Sequence, residues 1–329
     1  MKFGLTAYGT VFQMGLHPNA VNPRITALQQ MEMAIAYGLE GVEFPYEILV
    51  NADVDEITEY AQKNNLFINI AAGGYESEYL QKVLRLGSKL NAHTVRTVVG
   101  GADFGGDRRK MNGKWQTFLN EVLLSFEGAV KTAEEVEIYL TVENHQDLAS
   151  EELLWLCKTI DSNYFGITLD TGNPLATAEV PIDFFEKMVP YIKNVHLKDY
   201  KIYWSADGYR LARCPIGQGV IDFSALFTLL DKVNPDITLS IEHGALEARH
   251  VRVFQEDYWT EYPERTARQL TRLLRFIDDH ALTKGEWRTP YEKGKSAEEI
   301  AAYEMEEMAI GLAYLSYLKK MRDTQQMEV

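Results

Sequence analysis

The sequence predicts an α/β chain folded as a (β/α)8 barrel with a C-terminal helical extension. Two observations carry this. Four strand-like segments in the second half each end on a residue able to bind a metal: IYLTVENH (138–145), FGITLD (165–170), IKNVHLKD (192–199) and ITLSIEH (237–243), with Glu143, Asp170, His196 and Glu242. Strand-like and amphipathic helical runs also alternate along the chain, which is the pattern of βαβ units and a parallel sheet.

The first half supplies the other strands. Residues 2–8 (KFGLTAY) read as the first, and TALQQMEMAIAYG is a helical run ending on Gly38. Residues 40–46, 66–72 and 94–100 are the second to fourth strands. Amphipathic runs fall at 53–64, 76–90, 115–135, 150–160, 222–233 and 264–279. Eight strands with helices between them favour a closed barrel over an open doubly wound sheet. No GxGxxG opens the first βα unit, so no nucleotide cofactor is expected.

Two long loops, 100–115 and 199–219, leave the side where the strands end. Both are rich in aromatic residues and arginine: Phe104, Arg108, Arg109 and Trp115, then Tyr203, Trp204, Tyr209, Arg210 and Arg213. Long loops on that face are usually functional. The barrel domain is read as 1–281 and the extension as 282–329. Residues 282–295 are polar and loop-like, and Ser296 with Glu299 then forms a capping box. The segment 308–318, MAIGLAYLSYL, is apolar nearly all round, so it is expected to be buried against the barrel or another subunit, through Met308, Leu312, Leu315 and Leu318. With the sheet covered by the barrel's own helices, it is expected to pack outside those helices or to reach another chain.

Composition narrows the function. The chain has 329 residues, 46% hydrophobic and 25% charged, which is ordinary for a soluble enzyme. No apolar run is long enough to cross a bilayer, and the N-terminal residues lack the apolar core of a signal peptide, so no membrane partner is expected. Cys157 and Cys214 form no disulfide framework, which fits a cytoplasmic setting. The net charge of −15 argues against nucleic acid.

In a strand, alternate side chains share a face. Thr141, Glu143 and His145 therefore fall together, as do Thr168 and Asp170, Asn194, His196 and Lys198, and Ser240 and Glu242. Leu140, Val142, Ile167, Leu169, Val195, Leu197 and Ile241 face the other way. Two Glu, one Asp and one His thus point into the mouth of the barrel, where such folds place their active sites. Three oxygen ligands and one imidazole suit one Mn²⁺, Mg²⁺ or Co²⁺ ion better than a structural zinc. Such an ion polarises a carbonyl or hydroxyl pair while Glu143 or Glu242 moves a proton at the adjacent carbon. His145 is placed for acid/base work, or for a supporting hydrogen bond at the strand end. Lys198 either binds a substrate oxygen or neutralises the carboxylates. Glu43 faces inward if Gly41 does, a register the sequence leaves open. Asn173 touches a ligand or caps the next helix. His17, His93, His243, His250 and His280 are read as structural, with His243 alternating away from the site.

The set GVEFP, VENH, LDTGN, VHLKD, IGQGVIDF and IEHG resembles the xylose-isomerase-like TIM-barrel superfamily of sugar-phosphate isomerases, epimerases and endonuclease-IV-like proteins, over about residues 1–281. The resemblance implies one Mn²⁺-type ion on Glu143, Asp170, His196 and Glu242, with the two glutamates exchanging protons beside a carbonyl. Ketose 3-epimerases of the family carry a His where this chain has Asn173 and an Arg where it has Ile202, which puts that exact reaction in doubt. The endonuclease branch builds a histidine-rich three-metal site, which the few histidines here do not match. Glu-Asn-His after the fifth strand, the aromatic and Arg-rich loops and the helical extension resemble the catalytic subunit of C-glycoside deglycosidases. That branch implies a lyase cleaving 3-oxo-C-glycosides to aglycone and oxo-sugar, and an oligomer that can include a small second subunit. The candidate substrate contacts remain Glu43, Asn173 and Lys198, as read from the strand faces and the turn. The alternatives are a keto-sugar or sugar-phosphate isomerase or epimerase, a polyol dehydratase, or a non-catalytic sugar-binding barrel.

Overall fold

A computed structural model of the protein describes residues 1–283 and 285–327. Eight parallel strands close into a barrel: β1 (Lys2–Thr6), β2 (Gly41–Pro45), β3 (Phe67–Ala71), β4 (Thr94–Thr97), β5 (Tyr139–Glu143), β6 (Phe165–Asp170), β7 (Ile192–Leu197) and β10 (Thr238–Ile241). β1 pairs with β2 on one side and with β10 on the other, through Lys2↔Thr238 to Leu5↔Ile241, which closes the ring. The outward faces carry Leu5, Val42, Ile70, Val95, Leu140, Val142, Ile167, Leu169, Val195, Leu197 and Ile241, all buried under helices. Removing that much apolar surface from water is the main drive to this architecture.

The helices follow in chain order: α1 (Ala27–Ala36), α2 (Tyr46–Leu49), α3 (Val54–Asn64), α4 (Ser77–Lys89), α5 (Trp115–Val136), α6 (Ser150–Ile160), α7 (Pro181–Met188), α8 (Phe223–Val233), α9 (Ala267–His280) and α10 (Ala297–Met327). The sequence reading did not name α7, although Pro181 at its first turn was a start signal. Among the described residues no helix is long and apolar enough to cross a membrane.

The barrel interior explains the site's depth. Phe67 fills the bottom, and a Cβ on Gly41 would lie 2.3 Å from its ring, so the glycine makes room for it. Gly41 therefore faces inward, which fixes the open register and turns Glu43 inward too. Above Phe67 lies a polar layer. Asn69 Nδ2 donates to Asn194 Oδ1 (3.2 Å) and Thr238 Oγ1 (3.1 Å), and the hydroxyls of Thr141 and Thr168 meet at 2.7 Å. Asn194 of this layer also donates from Nδ2 to Glu43 Oε2 (3.3 Å).

Three expectations change. Residues 199–219 are not an irregular loop: β8 (Asp199–Ser205) and β9 (Gly208–Cys214) form an antiparallel hairpin, extended by β11 (Arg249–Val251) and β12 (Ala281–Leu282) into a second sheet. The strand signal in this segment is the alternation Tyr200/Ile202 and Tyr209/Leu211, all four buried. Residues 264–279 do not cover the barrel as its last helix. Leu273 and Ile277 of α9 pack instead with Tyr200, Ile202, Tyr209, Leu211 and Val251 in a core under the second sheet.

Finally, α10 packs directly on the barrel and not outside its helices. Met308 and Leu315 belong to the barrel core, with Leu312 and Leu318 half-buried against it. Tyr314 meets Phe223 of α8 edge-on, Arg322 pairs with Asp231, and Lys319 reaches Glu40 beyond α1. With α9 drawn off to the second sheet, α10 lies between α8 and α1. The capping box forms as expected, with Ser296 Oγ accepting from Glu299 N (3.2 Å) and Glu299 Oε2 accepting from Ser296 N (3.0 Å).

Candidate active site

Glu143 and Asp170 are the last residues of β5 and β6, His196 is next to last in β7, and Glu242 lies one past β10. Parallel register brings them level: Glu143 sits opposite Thr168, Asp170 opposite His196, and His196 opposite Ser240. One ligand atom from each of the four lies within 4.8 Å of the others, and all four side chains are buried. The sequence-predicted set is thus gathered in one place.

His196 is held from behind. Its Nε2 lies 2.8 Å from Glu43 Oε2, while Nδ1 faces Glu242 Oε2 at 2.8 Å and Glu143 Oε2 at 3.5 Å. Glu43 also accepts from Thr6 Oγ1 (3.0 Å) and Asn194 Nδ2 (3.3 Å). Burial would lower the His196 pKa, but Glu43 and Glu143 outweigh it and push the imidazole up to about 10. Burial likewise opposes charge on Glu242, yet Lys198, His196 and Arg213 hold its carboxyl well below the usual range. At Asp170 burial wins over Lys198, and its carboxyl is raised. Lys198 Nζ binds Asp170 Oδ2 and lies 2.6 Å from Glu242 Oε1.

The residues fit a divalent cation. Glu143 Oε1 and Oε2, His196 Nδ1 and Glu242 Oε2 are buried and make no hydrogen bond, although His196 approaches Glu242 and Arg96 Nε approaches Glu143 Oε2 closely. Buried acceptors left this way are costly, and an ion among them satisfies all four. Glu43 would then hold the imidazole's other nitrogen, the arrangement by which a carboxylate orients a ligating histidine.

A cavity of about 300 Å³ opens above this cluster, and Tyr8, Arg96, Phe104, His145, Arg213, Glu242 and Arg249 are among its walls. His145 is partly buried there. Burial, with Lys198 and Arg96 nearby, lowers its pKa to about 3, so the ring is neutral at pH 7. Asn173 is buried beside Asp170, where its N–H donates to Asp170 Oδ1 (3.2 Å) and its Oδ1 accepts from Gln146 Nε2 and the Tyr200 hydroxyl (both 3.3 Å). Its side chain makes no helix cap. His243 turns away from the site, with Nε2 2.8 Å from Glu304 O.

The sequence reading missed Arg96. It alternates with Thr94 on β4, so the inward-face logic used for the acids would have found it. Its Nε lies 3.0 Å from Glu143 Oε2 and 3.7 Å from Glu43 Oε1. Arg249 was missed too, because nothing local marks a residue after the last strand as a wall of the mouth. The 100–115 loop is firmly held. Buried Arg108 lies between the rings of Trp115 (4.0 Å) and Tyr262 (3.9 Å) and donates to Glu152 Oε1 (2.9 Å) and Oε2 (2.6 Å).

The pattern of xylose isomerase-like TIM barrels matches residues 31–275. The chain belongs to that family. Among curated relatives, the xylose isomerase-like barrel is 26% identical over 192 residues to the uncharacterized protein YihM of Escherichia coli, covering 58% of this chain and 56% of that one. The match thus spans little more than half of that relative's length. It is 23% identical over 222 residues to 3-oxo-isoapionate decarboxylase of Pectobacterium atrosepticum, covering 66% of this chain and 76% of that one. In fold it is similar to a D-tagatose 3-epimerase-like protein (TM-score 0.57, 19% identity, 85% of this chain and 99% of that one). It is similar also to D-psicose 3-epimerase of Clostridium cellulolyticum (TM-score 0.59, 14% identity, 85% and 99%).

Proposed function

We propose that this xylose isomerase-like barrel is a divalent-metal-dependent enzyme that removes a proton next to the carbonyl of a small sugar-type substrate. The observation that carries the reading is the set of unsatisfied, buried ligand atoms on Glu143, His196 and Glu242, with Glu242 itself lining the cavity. The ion, Mn²⁺ in this reading, supplies polarisation of the substrate's oxygen pair when bound. Glu143 or Glu242 takes the proton. The C–H electron pair becomes the C=C of an enediolate, and the carbonyl oxygen takes the charge. Arg96, with Glu143 as its partner, and Lys198, between Asp170 and Glu242, are placed to hold that oxygen. Neutral His145, on the wall, accepts or returns a proton at a substrate hydroxyl.

Return of the proton to the other face gives an epimer, and return to the neighbouring carbon gives an isomer. The cavity of about 300 Å³ supports a single small sugar. A second reading, cleavage of a 3-oxo substrate such as a 3-oxo-C-glycoside, is supported by the likeness to a decarboxylase of a 3-oxo acid. There the enediolate re-forms the carbonyl and makes a new C=C as the bond to the group beyond it breaks, and that group takes the bonding pair and a proton. The apolar residues left exposed on α10, Tyr317 and Met321 above all, support an oligomeric contact for this helix.

Hydrogen–deuterium exchange tests the common step. Mn²⁺-loaded protein in D₂O is expected to exchange the proton beside the carbonyl of a ketose or a 3-oxo-glycoside, followed by NMR, and Glu242→Ala is expected not to. A metal-loaded protein that exchanges none of these protons would rule the reading out.

A further inference from the structure

Arg213 of β9 and Arg249 of β11 enter the cavity from the second sheet. Both are buried, 8% and 1% exposed. Arg213 Nε, Arg249 Nε and Arg249 Nη1 have no hydrogen-bond partner. Arg213 Nη1 makes one long bond to His243 O (3.4 Å), and Gly244 leaves the space it occupies, since a Cβ there would lie 2.6 Å from that nitrogen. Arg249 lies over the Phe104 ring at 3.6 Å, and its only ion pair, among the described residues, is with half-exposed Glu247 at 3.7 Å. The other two buried arginines of this region differ. Arg96 has Glu143 at 3.0 Å and Arg108 has Glu152 at 2.6 Å.

Two buried guanidiniums without close carboxylates are expensive to fold. The charges of the site say what is missing. Glu43, Glu143, Asp170 and Glu242 are matched by Arg96, Lys198, Arg213 and Arg249, and a bound divalent ion adds two positive charges. The further carboxyls near Arg213, Glu304 and Glu307 of α10, are raised by burial to about 7. Glu47 at the mouth is exposed and solvated. Burial and the neighbouring Arg213 already hold the Arg249 pKa down to about 10. The planar guanidinium fork matches a carboxylate or phosphate with two parallel bonds.

We propose that Arg213 and Arg249 form a subsite for an anionic group on the substrate, so that the substrate is a keto-sugar acid or a sugar phosphate and not a neutral sugar. This rests on the metal-assisted reading for the rest of the site, since Glu242 and His145 line the same cavity. Substrate binding is read apart from turnover, so the two can fail separately.

The experiment titrates D-fructose, D-fructose 6-phosphate and D-fructuronate into Mn²⁺-loaded protein by calorimetry at low salt. The expected result is that an anionic probe binds at least about tenfold tighter than fructose. Preference for the fructuronate identifies a sugar acid, and preference for the 6-phosphate a sugar phosphate. Arg249→Met and Arg213→Met are expected to bring the anionic probe to within about threefold of fructose, with bound Mn²⁺ unchanged. Arg249→Lys, which keeps the charge, is expected to recover part of the preference and guards against a folding defect. The proposal falls if fructose binds as well as both anions, if none of the three binds, or if Arg249→Met keeps the full preference. Loss of proton exchange with anion preference intact would count against the metal-assisted reading alone.

Discussion

Glu43 Oε2 lies 2.8 Å from His196 Nε2, from the strand on the far side of the barrel interior. Neither side chain is exposed to solvent. The contact fixes the imidazole so that Nδ1 alone faces Glu143 and Glu242. A carboxylate that orients a ligating histidine also makes it more basic, and losing one usually costs about 10–100-fold in metal affinity. Glu43→Gln is therefore expected to weaken Mn²⁺ binding by roughly that factor, read by titration calorimetry. A change under about twofold would remove Glu43 from the metal site.

Glu242 turns Oε2 to His196 Nδ1 (2.8 Å) and Oε1 to Lys198 Nζ (2.6 Å), so one of its oxygens faces the ion site and the other is held by Lys198. Glu242→Ala is expected to lose most bound metal while the barrel stays folded. Full occupancy by elemental analysis of the purified variant would show the ligand assignment to be wrong.

His145 occupies the cavity wall without contributing to the four-ligand cluster. His145→Ala is expected to lower kcat roughly 10²–10⁴-fold and leave metal content intact, once a substrate is in hand from the exchange assay. Near-normal kcat would return the residue to a supporting role on Phe104, whose ring meets it at 6.4 Å.

Glu307 sits on the buried side of α10, and burial raises its carboxyl to about 7 against the pull of Tyr303 and the Gly244 N–H. A folded pKa above the unfolded one means that the folded state resists ionisation. Stability is therefore highest below about pH 4.5, falls as pH rises to about 7, and is flat beyond. Glu307→Gln removes the charge, so at pH 8 it is expected to be stabilising by about 2–3 kcal/mol, and near pH 4.5 close to neutral. Scanning calorimetry at the two pH values decides it, and equal Tm shifts at both would contradict the assignment.

Ala309, Ala313, Tyr317 and Met321 lie one turn apart on the exposed side of α10. A contiguous apolar stripe on the outer side of a helix is a candidate contact surface. The double variant Tyr317→Glu, Met321→Glu is expected to reduce the assembly mass in light scattering and keep the metal. Unchanged mass would confine α10 to bracing its own barrel.

The ligand set was legible in the sequence because two short-range rules decide it. Alternation along a strand gives each residue its face, and parallel strands put all their C-terminal ends on one side, so VENH, LDTGN, VHLKD and IEHG could be placed together without coordinates. Arg96 obeyed the same rule and was only overlooked. Glu43 needed one fact from the tertiary structure, the packing of Phe67 against Gly41, because glycine carries no side chain to mark its face.

The cover of the barrel was not legible. The run 264–279 and the segment 308–318 are both amphipathic or apolar, and either is able to cover the gap between α1 and α8. The choice went to α10 because the hairpin β8–β9 needed an apolar cover of its own, which Leu273 and Ile277 of α9 provide. Arg213 and Arg249 gained their common place in the same way, by the pairing of β11 with β9, in which Arg249 lies opposite Leu211, far away in the chain. Local propensity states which segments have an apolar face and which residues lie on it. It does not state which of two such faces is buried against which, because that is a difference in contact free energy between surfaces far apart in the chain, and only the folded arrangement sets it.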